Sequence, residues 1–425
     1  MTHLVQHKHQ YRVIQVVITA TTLLALVSGC SMPLTLPNHT SSAPSQSQTE
    51  RSQSHNQYKQ ATPKPNSTGK SQADQQHTDS AQHRAQTVLR SMSRQERIGQ
   101  LIMAPLFAGS NASQIKPWFD QYHIGSVLLL GNWNTGVQGV AAQAQVLQTY
   151  AHPQARLFIS ADQEGGAVQH LRGVGFDRMP TAVQQGQLPL ENLRAQSKQW
   201  GLQLAQAGVN LNLAPVAGTV STSSRQANAP IGMYDRDFGL DPSNNGAHAA
   251  AFIEGMHDAG VLTAVKHFPG LGAITGNTDF TADSIVDTTT ALDNTGQMLG
   301  FTTALQSHPD MVMMSLATYA NIDADHPAAL SHTIVQGYVR NTLHFQGVIT
   351  SDSMSAAALA SIPAEQLGTQ FIEAGGDLLC IGASEYVAPI AQGLIQADSS
   401  NPEFAQLVDQ AALRVLTLKA RAGLL

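Results

Sequence analysis

The chain has 425 residues and a formal net charge of −6, and its 23 Lys and Arg do not gather into clusters. That excludes a nucleic-acid groove, which needs a positive field to displace phosphate counterions. Only Cys30 and Cys380 are present, which excludes a disulfide framework and leaves stability to core burial; a neutral substrate is compatible with the charge balance.

The N-terminus opens with Lys8 and Arg12, then an apolar run from Val13 to Val27, then Ser28-Gly29-Cys30. This order reads as an export signal over residues 1–30. Val27-Ser28-Gly29-Cys30 resembles a bacterial lipobox, which implies that the Cys30 thiol takes a diacylglycerol and becomes the mature N-terminus. The apolar run is shorter than the ~20 residues that a membrane span needs, so the lipid tethers the chain outside the cytoplasm and does not thread it. An ordinary cleaved signal or an uncleaved anchor remains open.

Residues 31–85 are rich in Ser, Gln, Thr, Asn, His and Pro and poor in large apolar side chains, which predicts a disordered linker. Its histidines, His39, His55, His77 and His83 among them, have irregular spacing, which favours a solvated linker over a metal-scavenging tail. The remaining 86–425 form the expected domain.

Ser93 and Glu96 have the spacing of a capping box that opens a short helix. Eight apolar runs of strand length follow: Leu101–Phe107, Gly125–Leu130, Ala155–Ser160, Val209–Val216, Leu262–Val265, Met311–Leu316, Gly347–Thr350 and Asp377–Ile381. Between them lie helical patterns such as Val137–Tyr150, Leu190–Ala207, Gly246–Ala259, Thr333–Leu343 and Ala364–Ala374. Runs buried on both faces and joined by crossover helices predict a parallel sheet, and eight repeats are the number that closes a TIM (β/α)8 barrel. A doubly wound open sheet is the alternative. Cys380, inside the last run, reads as a small buried hydrophobe.

A barrel enzyme carries its chemistry at the C-terminal ends of its strands. Those ends here are Asp162-Gln163-Glu164-Gly165-Gly166 after the third, Lys266-His267-Phe268-Pro269-Gly270 after the fifth, and Ser351-Asp352-Ser353 after the seventh. The glycine pairs predict tight turns or positive φ. Asp352 taken alone could equally be a helix N-cap.

With Ile98-Gly99-Gln100-Leu101, Leu213-Ala214-Pro215-Val216, and Ile231-Gly232 followed by Arg236 and Phe238-Gly239, these segments resemble glycoside hydrolase family 3, in particular its bacterial β-N-acetylhexosaminidase branch. The resemblance runs from Met92 to the C-terminus. It implies a retaining hydrolase that removes terminal β-N-acetylglucosamine through a covalent glycosyl-enzyme on Asp352. Asp162, Arg236, Lys266 and His267 match positions that hold sugar hydroxyls, while Glu164 reads as support for its loop. No cofactor or metal is implied, and the folded region has no His-x-x-x-His or Cys/His cluster of ligand spacing.

The chain departs from that branch in the loop after Lys266-His267-Phe268-Pro269-Gly270. The branch carries Asp-Ser-His there, its general acid/base pair, and this chain has Asn277-Thr278-Asp279. Asp279, on a mobile βα loop, is the expected replacement acid, with Asp283 in reserve. Two further departures are Ala217-Gly218, where an Asp is usual, and Leu316, where a His is usual.

The substrate expected from the resemblance is a cell-wall saccharide derived from peptidoglycan. Alternatives are a non-catalytic sugar-binding lipoprotein, a β-glucosidase-like or phosphorolytic enzyme of the same family, and an aldolase-like use of Lys266 as a Schiff base. Oligomeric state is not legible in the sequence.

Overall fold

In the computed structural model the described residues are 72–425 apart from Ser221 and Ser284, the backbone alone for 72–79 and 222–224. The export signal, Cys30 and most of the expected linker lie outside them. Among the described residues no helix is long and apolar enough to cross a membrane.

Each of the eight apolar runs overlaps a strand, three of which extend past the run's end: β1 (Ile102–Phe107), β2 (Ser126–Leu130), β3 (Phe158–Ala161), β4 (Leu211–Asn212), β5 (Leu262–Phe268), β6 (Met311–Met314), β7 (Val348–Ser351) and β8 (Leu379–Cys380). Neighbours in sequence pair in parallel through one eight-stranded sheet. β8 pairs with β1 through Ile102 with Leu379 and Met103 with Cys380, and a Thr350–Leu378 bridge joins the β7 side. The sheet is therefore a closed TIM barrel, and the open doubly wound alternative falls.

Strand alternation divides the core. Met103, Leu128, Phe158, Leu211, Ala264 and Met313 belong to the cluster inside the barrel, while flanking residues such as Ile102, Val127 and Ile159 belong to the larger cluster shared with the helices. Leu418 and Leu424 join the interior cluster from the C-terminal end of the chain. The helix Pro402–Arg421 also delivers Lys419, whose Nζ donates to Gln100 Oε1 at 2.7 Å and to the Gly125 carbonyl at 2.8 Å. Those acceptors precede β1 and β2, so Lys419 sits at the base of the barrel. It is fully buried without a carboxylate partner, and burial pushes its ammonium down to about 7.

The linker expectation needs correction at its C-terminal end, because a helix spans Gln72–Ser91. Ala85, Val88 and Met92 pack with Ala155 and Leu416, and Arg84 donates to the Ala420 carbonyl at 2.9 Å. Inside the expected linker the buried positions are Ala81 and Ala85, which a search for large apolar residues passes over. The Ser93–Glu96 capping box forms as expected. The stretch Thr333–Thr342 is wound as a π-helix rather than an α-helix, as in the bond from Leu343 N–H to the Tyr338 carbonyl at 2.8 Å.

Candidate active site

The C-terminal strand ends and their loops enclose a cavity of about 610 Å³. Asp162, Arg236, Lys266, His267, Asp279 and Asp352 all line it. Leu128, Leu213 and Met313 from inside the barrel line it too, with Cys380, the small buried residue expected there.

Local backbone explains how adjacent residues reach one space. Lys266 and His267 are neighbours on β5, and neighbours in a regular strand point to opposite faces. The pairing of β5 with β6 shifts register between Val265 and Phe268, so both side chains face the cavity. Gly165 and Gly166 have φ of 111° and 56°, and a Cβ on Gly165 would lie 2.2 Å from the Pro180 carbonyl oxygen. Only glycine lets the chain turn there and carry Glu164 beneath the cavity.

Two ion pairs share Glu164. Lys266 Nζ lies 2.6 Å from Asp162 Oδ1 and 2.6 Å from Glu164 Oε1. Arg236 donates to Glu164 through Nε at 3.0 Å and Nη2 at 2.8 Å, and through Nη1 to the Pro230 carbonyl at 2.7 Å. Burial opposes charge on all three buried groups, but Arg236 and Lys266 together hold the Glu164 carboxyl far below the usual range, and Asp162 and Glu164 keep Lys266 raised. Asp162 and Arg236 are the members left open to the cavity, their side chains 18% and 15% exposed against 1% for Lys266 and 4% for Glu164.

His267 is fully enclosed, and burial with the nearby Arg236 and Lys266 holds it well below the ordinary histidine range. It is therefore neutral, and its 3.9 Å approach to Asp352 Oδ2 is not an ion pair. Its Nδ1 has no hydrogen-bond partner.

Asp352 follows β7, and its backbone N–H donates to the Met314 carbonyl at 3.0 Å. It does not cap a helix: the next helical turn is Ala357–Leu359, preceded by Ala356. Its Oδ1 accepts the Ser353 N–H at 2.8 Å. Burial, and then the charge of Asp279, push its carboxyl up to about 7. Asp279 stands exposed at the cavity mouth, and the protein surface on its cavity side raises its carboxyl as well. The two carboxyls thus face one cavity and disfavour each other's charge.

The loop that carries Asp279 is docked. Ala357 N–H donates to the Asp279 carbonyl at 3.3 Å and Ala358 N–H to the Thr278 carbonyl at 3.0 Å, which tie it to the loop after β7. Asn228 donates to the carbonyls of Leu271 and Ile274, both at 2.7 Å, which ties it to the loop after β4. Asp283 does not line the cavity, which removes it as a candidate acid. Ala217, Gly218 and Leu316 are also absent from the lining; Ala217 and Leu316 are core residues. Those two departures are absorbed by packing, and the Asn277–Asp279 segment is the one that faces the cavity.

Sequence reading missed Tyr234, His170 and Phe280, which line the cavity from three loops. No spacing in the chain marks them. Among the described residues no group of three or more His, Cys, Asp or Glu side chains could hold a metal ion.

A closed parallel barrel with two carboxyls facing one hydrogen-bonding cavity has the components that cleavage of a glycosidic bond requires. Residues 93–418 match the glycosyl hydrolase family 3 N-terminal domain, and the chain belongs to that family. It is 38% identical to the solved β-N-acetylhexosaminidase of Beutenbergia cavernae DSM 12333, over 77% of this chain and 98% of that one, with a TM-score of 0.75. It is 26% identical over 336 residues to the β-hexosaminidase LpqI of Mycobacterium tuberculosis, covering 77% of this chain and 83% of LpqI. It is 30% identical over 288 residues to a β-hexosaminidase of Stenotrophomonas maltophilia strain R551-3, covering 65% and 81%. The protein is a glycoside hydrolase.

Proposed function

We propose that the protein is a retaining β-N-acetylhexosaminidase that removes terminal β-N-acetylglucosamine, with Asp352 as the nucleophile and Asp279 as the acid and then the base. The placement of both carboxyls in one cavity, with the Asp279 charge raising Asp352, carries this reading. Retaining hydrolysis needs one carboxylate and one carboxylic acid in the same site, and a pair that shares one proton supplies both. The Ser353 N–H bond to Asp352 favours the charged form that a nucleophile needs there, against the burial and the Asp279 charge that raise it.

Asp352 would then attack the anomeric carbon as Asp279 protonates the departing oxygen, giving a glycosyl-enzyme and a free leaving group. Asp279, now ionised, would take a proton from water as that water displaces Asp352. Asp162, Lys266, Arg236 and neutral His267 would hold the ring hydroxyls, and Glu164 would hold Lys266 and Arg236 in register. With Lys266 and Arg236 each balanced by a carboxylate, the catalytic pair leaves the site one negative charge, which suits an oxocarbenium-like transition state.

The names of the relatives support the acetamido sugar. A secreted relative 29% identical over 263 residues supports a place outside the cytoplasm, and the Val27-Ser28-Gly29-Cys30 segment supports a lipid anchor at Cys30. That location favours peptidoglycan-derived saccharides as the substrate. The test is hydrolysis of an aryl β-N-acetylglucosaminide beside an aryl β-glucoside by wild type and Asp352→Ala. Turnover of the acetamido sugar that disappears in the variant is expected. Sugar binding without turnover in the wild type would leave a carbohydrate-binding protein instead.

A further inference from the structure

We propose that Asn228 is a positioning residue for the reaction: its buried amide sets the loop that carries Asp279 against the turn that carries Arg236, so that proton donor and sugar clamp are placed as one unit. The proposal rests on the hydrolase reading above, in which Asp279 is the acid.

Asn228 is 1% exposed and lies behind the cavity wall, outside its lining. An amide side chain has two N–H donors and two acceptor lone pairs, and here all four are used. Nδ2 donates to the carbonyls of Leu271 and Ile274, both at 2.7 Å, in the loop after β5. Oδ1 accepts the N–H of Gly232 at 2.7 Å and of Ile231 at 3.1 Å, in the loop after β4. The donors serve one loop and the acceptor serves the other. An ionised aspartate would lack the donors, and a glutamine would bring an extra methylene into a closely packed position.

Each loop passes that restraint on to a residue of the cavity. After β4, the turn held by Oδ1 begins beside Pro230, whose carbonyl accepts Arg236 Nη1 at 2.7 Å, and the Ile231 carbonyl accepts the Arg236 N–H at 3.2 Å. After β5, Gln297 accepts the Gly272 N–H at 3.0 Å close to the strand end, and Asn228 pins the chain further out, at Ile274. Beyond that point the tip folds about Asn277, whose Oδ1 accepts the Asp279 N–H at 3.0 Å and whose carbonyl accepts the Phe280 and Thr281 N–H groups at 3.0 Å each. The bonds from Ala357 and Ala358 hold the other side of the tip. The exposed Asp279 carboxyl therefore takes its place from the backbone of its loop, and a displacement of about 1 Å in a reacting group is enough to cost about 10²-fold in rate.

The experiment measures kcat/KM on phenyl and dinitrophenyl β-N-acetylglucosaminides, whose leaving groups share a ring and differ in their need for a proton, together with the Kd of N-acetylglucosamine. Asn228→Asp keeps the acceptor that holds the Arg236 turn and puts an oxygen in place of the donor, facing two carbonyls, so it releases the Asp279 loop alone. It is expected to lose about ten- to a hundred-fold on the phenyl glycoside and less than about three-fold on the dinitrophenyl glycoside, with Kd within about two-fold of wild type. Asn228→Ala places no charge in the buried position and carries the test if the first variant does not fold. It frees both loops, so the same bias between glycosides is expected with weaker sugar binding. In an Asp279→Asn background either substitution should add no further loss on the phenyl glycoside, because the acid it positions is gone. Unchanged rates, equal losses on the two glycosides, or full additivity with Asp279→Asn overturn the positioning role. Equal losses for Asp279→Asn alone overturn the acid reading, and this proposal with it, while Asp352 stands as nucleophile. A wild type that turns over neither glycoside overturns the hexosaminidase reading and this proposal together.

Discussion

Glu164 and Arg236 meet in a buried bidentate ion pair, Nε to Oε2 at 3.0 Å and Nη2 to Oε1 at 2.8 Å, and the same carboxylate holds Lys266 at 2.6 Å. One side chain thus orients two cations of the cavity. Glu164→Ala leaves Arg236 without its carboxylate while Lys266 keeps Asp162, and loss of one partner of a buried pair costs about 3–5 kcal/mol. The effect is read as a lower midpoint in denaturant unfolding near neutral pH. Because the Glu164 carboxyl is depressed, its contribution is fully present above the ordinary glutamate range and is lost as pH falls far below it. Unchanged stability in the variant would remove Glu164 as the organising group.

The pH profile follows from the coupled carboxyls. The productive form carries one proton on the pair, so it forms above a first pKa raised from the ordinary aspartate range and disappears above about 7. A bell-shaped kcat/KM with its alkaline limb near neutrality is expected. Asp279→Asn removes the charge that raises Asp352, so the remaining carboxyl should titrate lower. An alkaline limb that stays in place in this variant would count against the pairing.

Leaving-group chemistry separates the two carboxyls. Asp279→Asn should slow a poor leaving group, such as a sugar alcohol, by about 10²–10⁴, the usual contribution of general acid catalysis, and slow an activated aryl glycoside far less. Asp352→Ala should abolish turnover of both. Equal losses on both substrates for Asp279→Asn would shift the acid elsewhere.

Lys419 makes a stability prediction remote from the site. Its folded pKa of about 7 lies below the ordinary lysine value, so above neutrality the unfolded chain binds the extra proton and stability rises with pH. At ~1.36 kcal/mol per unit, wild type should gain about 2 kcal/mol over Lys419→Met between roughly pH 7.5 and 9.5. Urea unfolding of both proteins across that range measures it, and a constant difference would mean that Lys419 stays charged.

The Gln72–Ser91 helix and the Asp279 loop show where sequence reading stops. The helix is held by small residues against the C-terminal end of the chain, so its burial is invisible until that end is in place. The loop's departure from Asp-Ser-His was legible residue by residue, but its docking depends on backbone bonds to Ala357 and Ala358 and on Asn228 from another loop.

The sequence by itself determined the eight-strand barrel, because strand burial on both faces and helix amphipathicity are local patterns along the chain. It also determined the strand ends at which Asp162, Lys266, His267 and Asp352 stand. Only the tertiary structure decided that Asp279 and Asp352 face one cavity, that Asp283 is not in it, and that Glu164 serves Lys266 and Arg236 together. Those relationships join residues from different strand ends. They arise only when closure of the barrel brings the ends together and burial lowers the dielectric enough for the charges to act on one another.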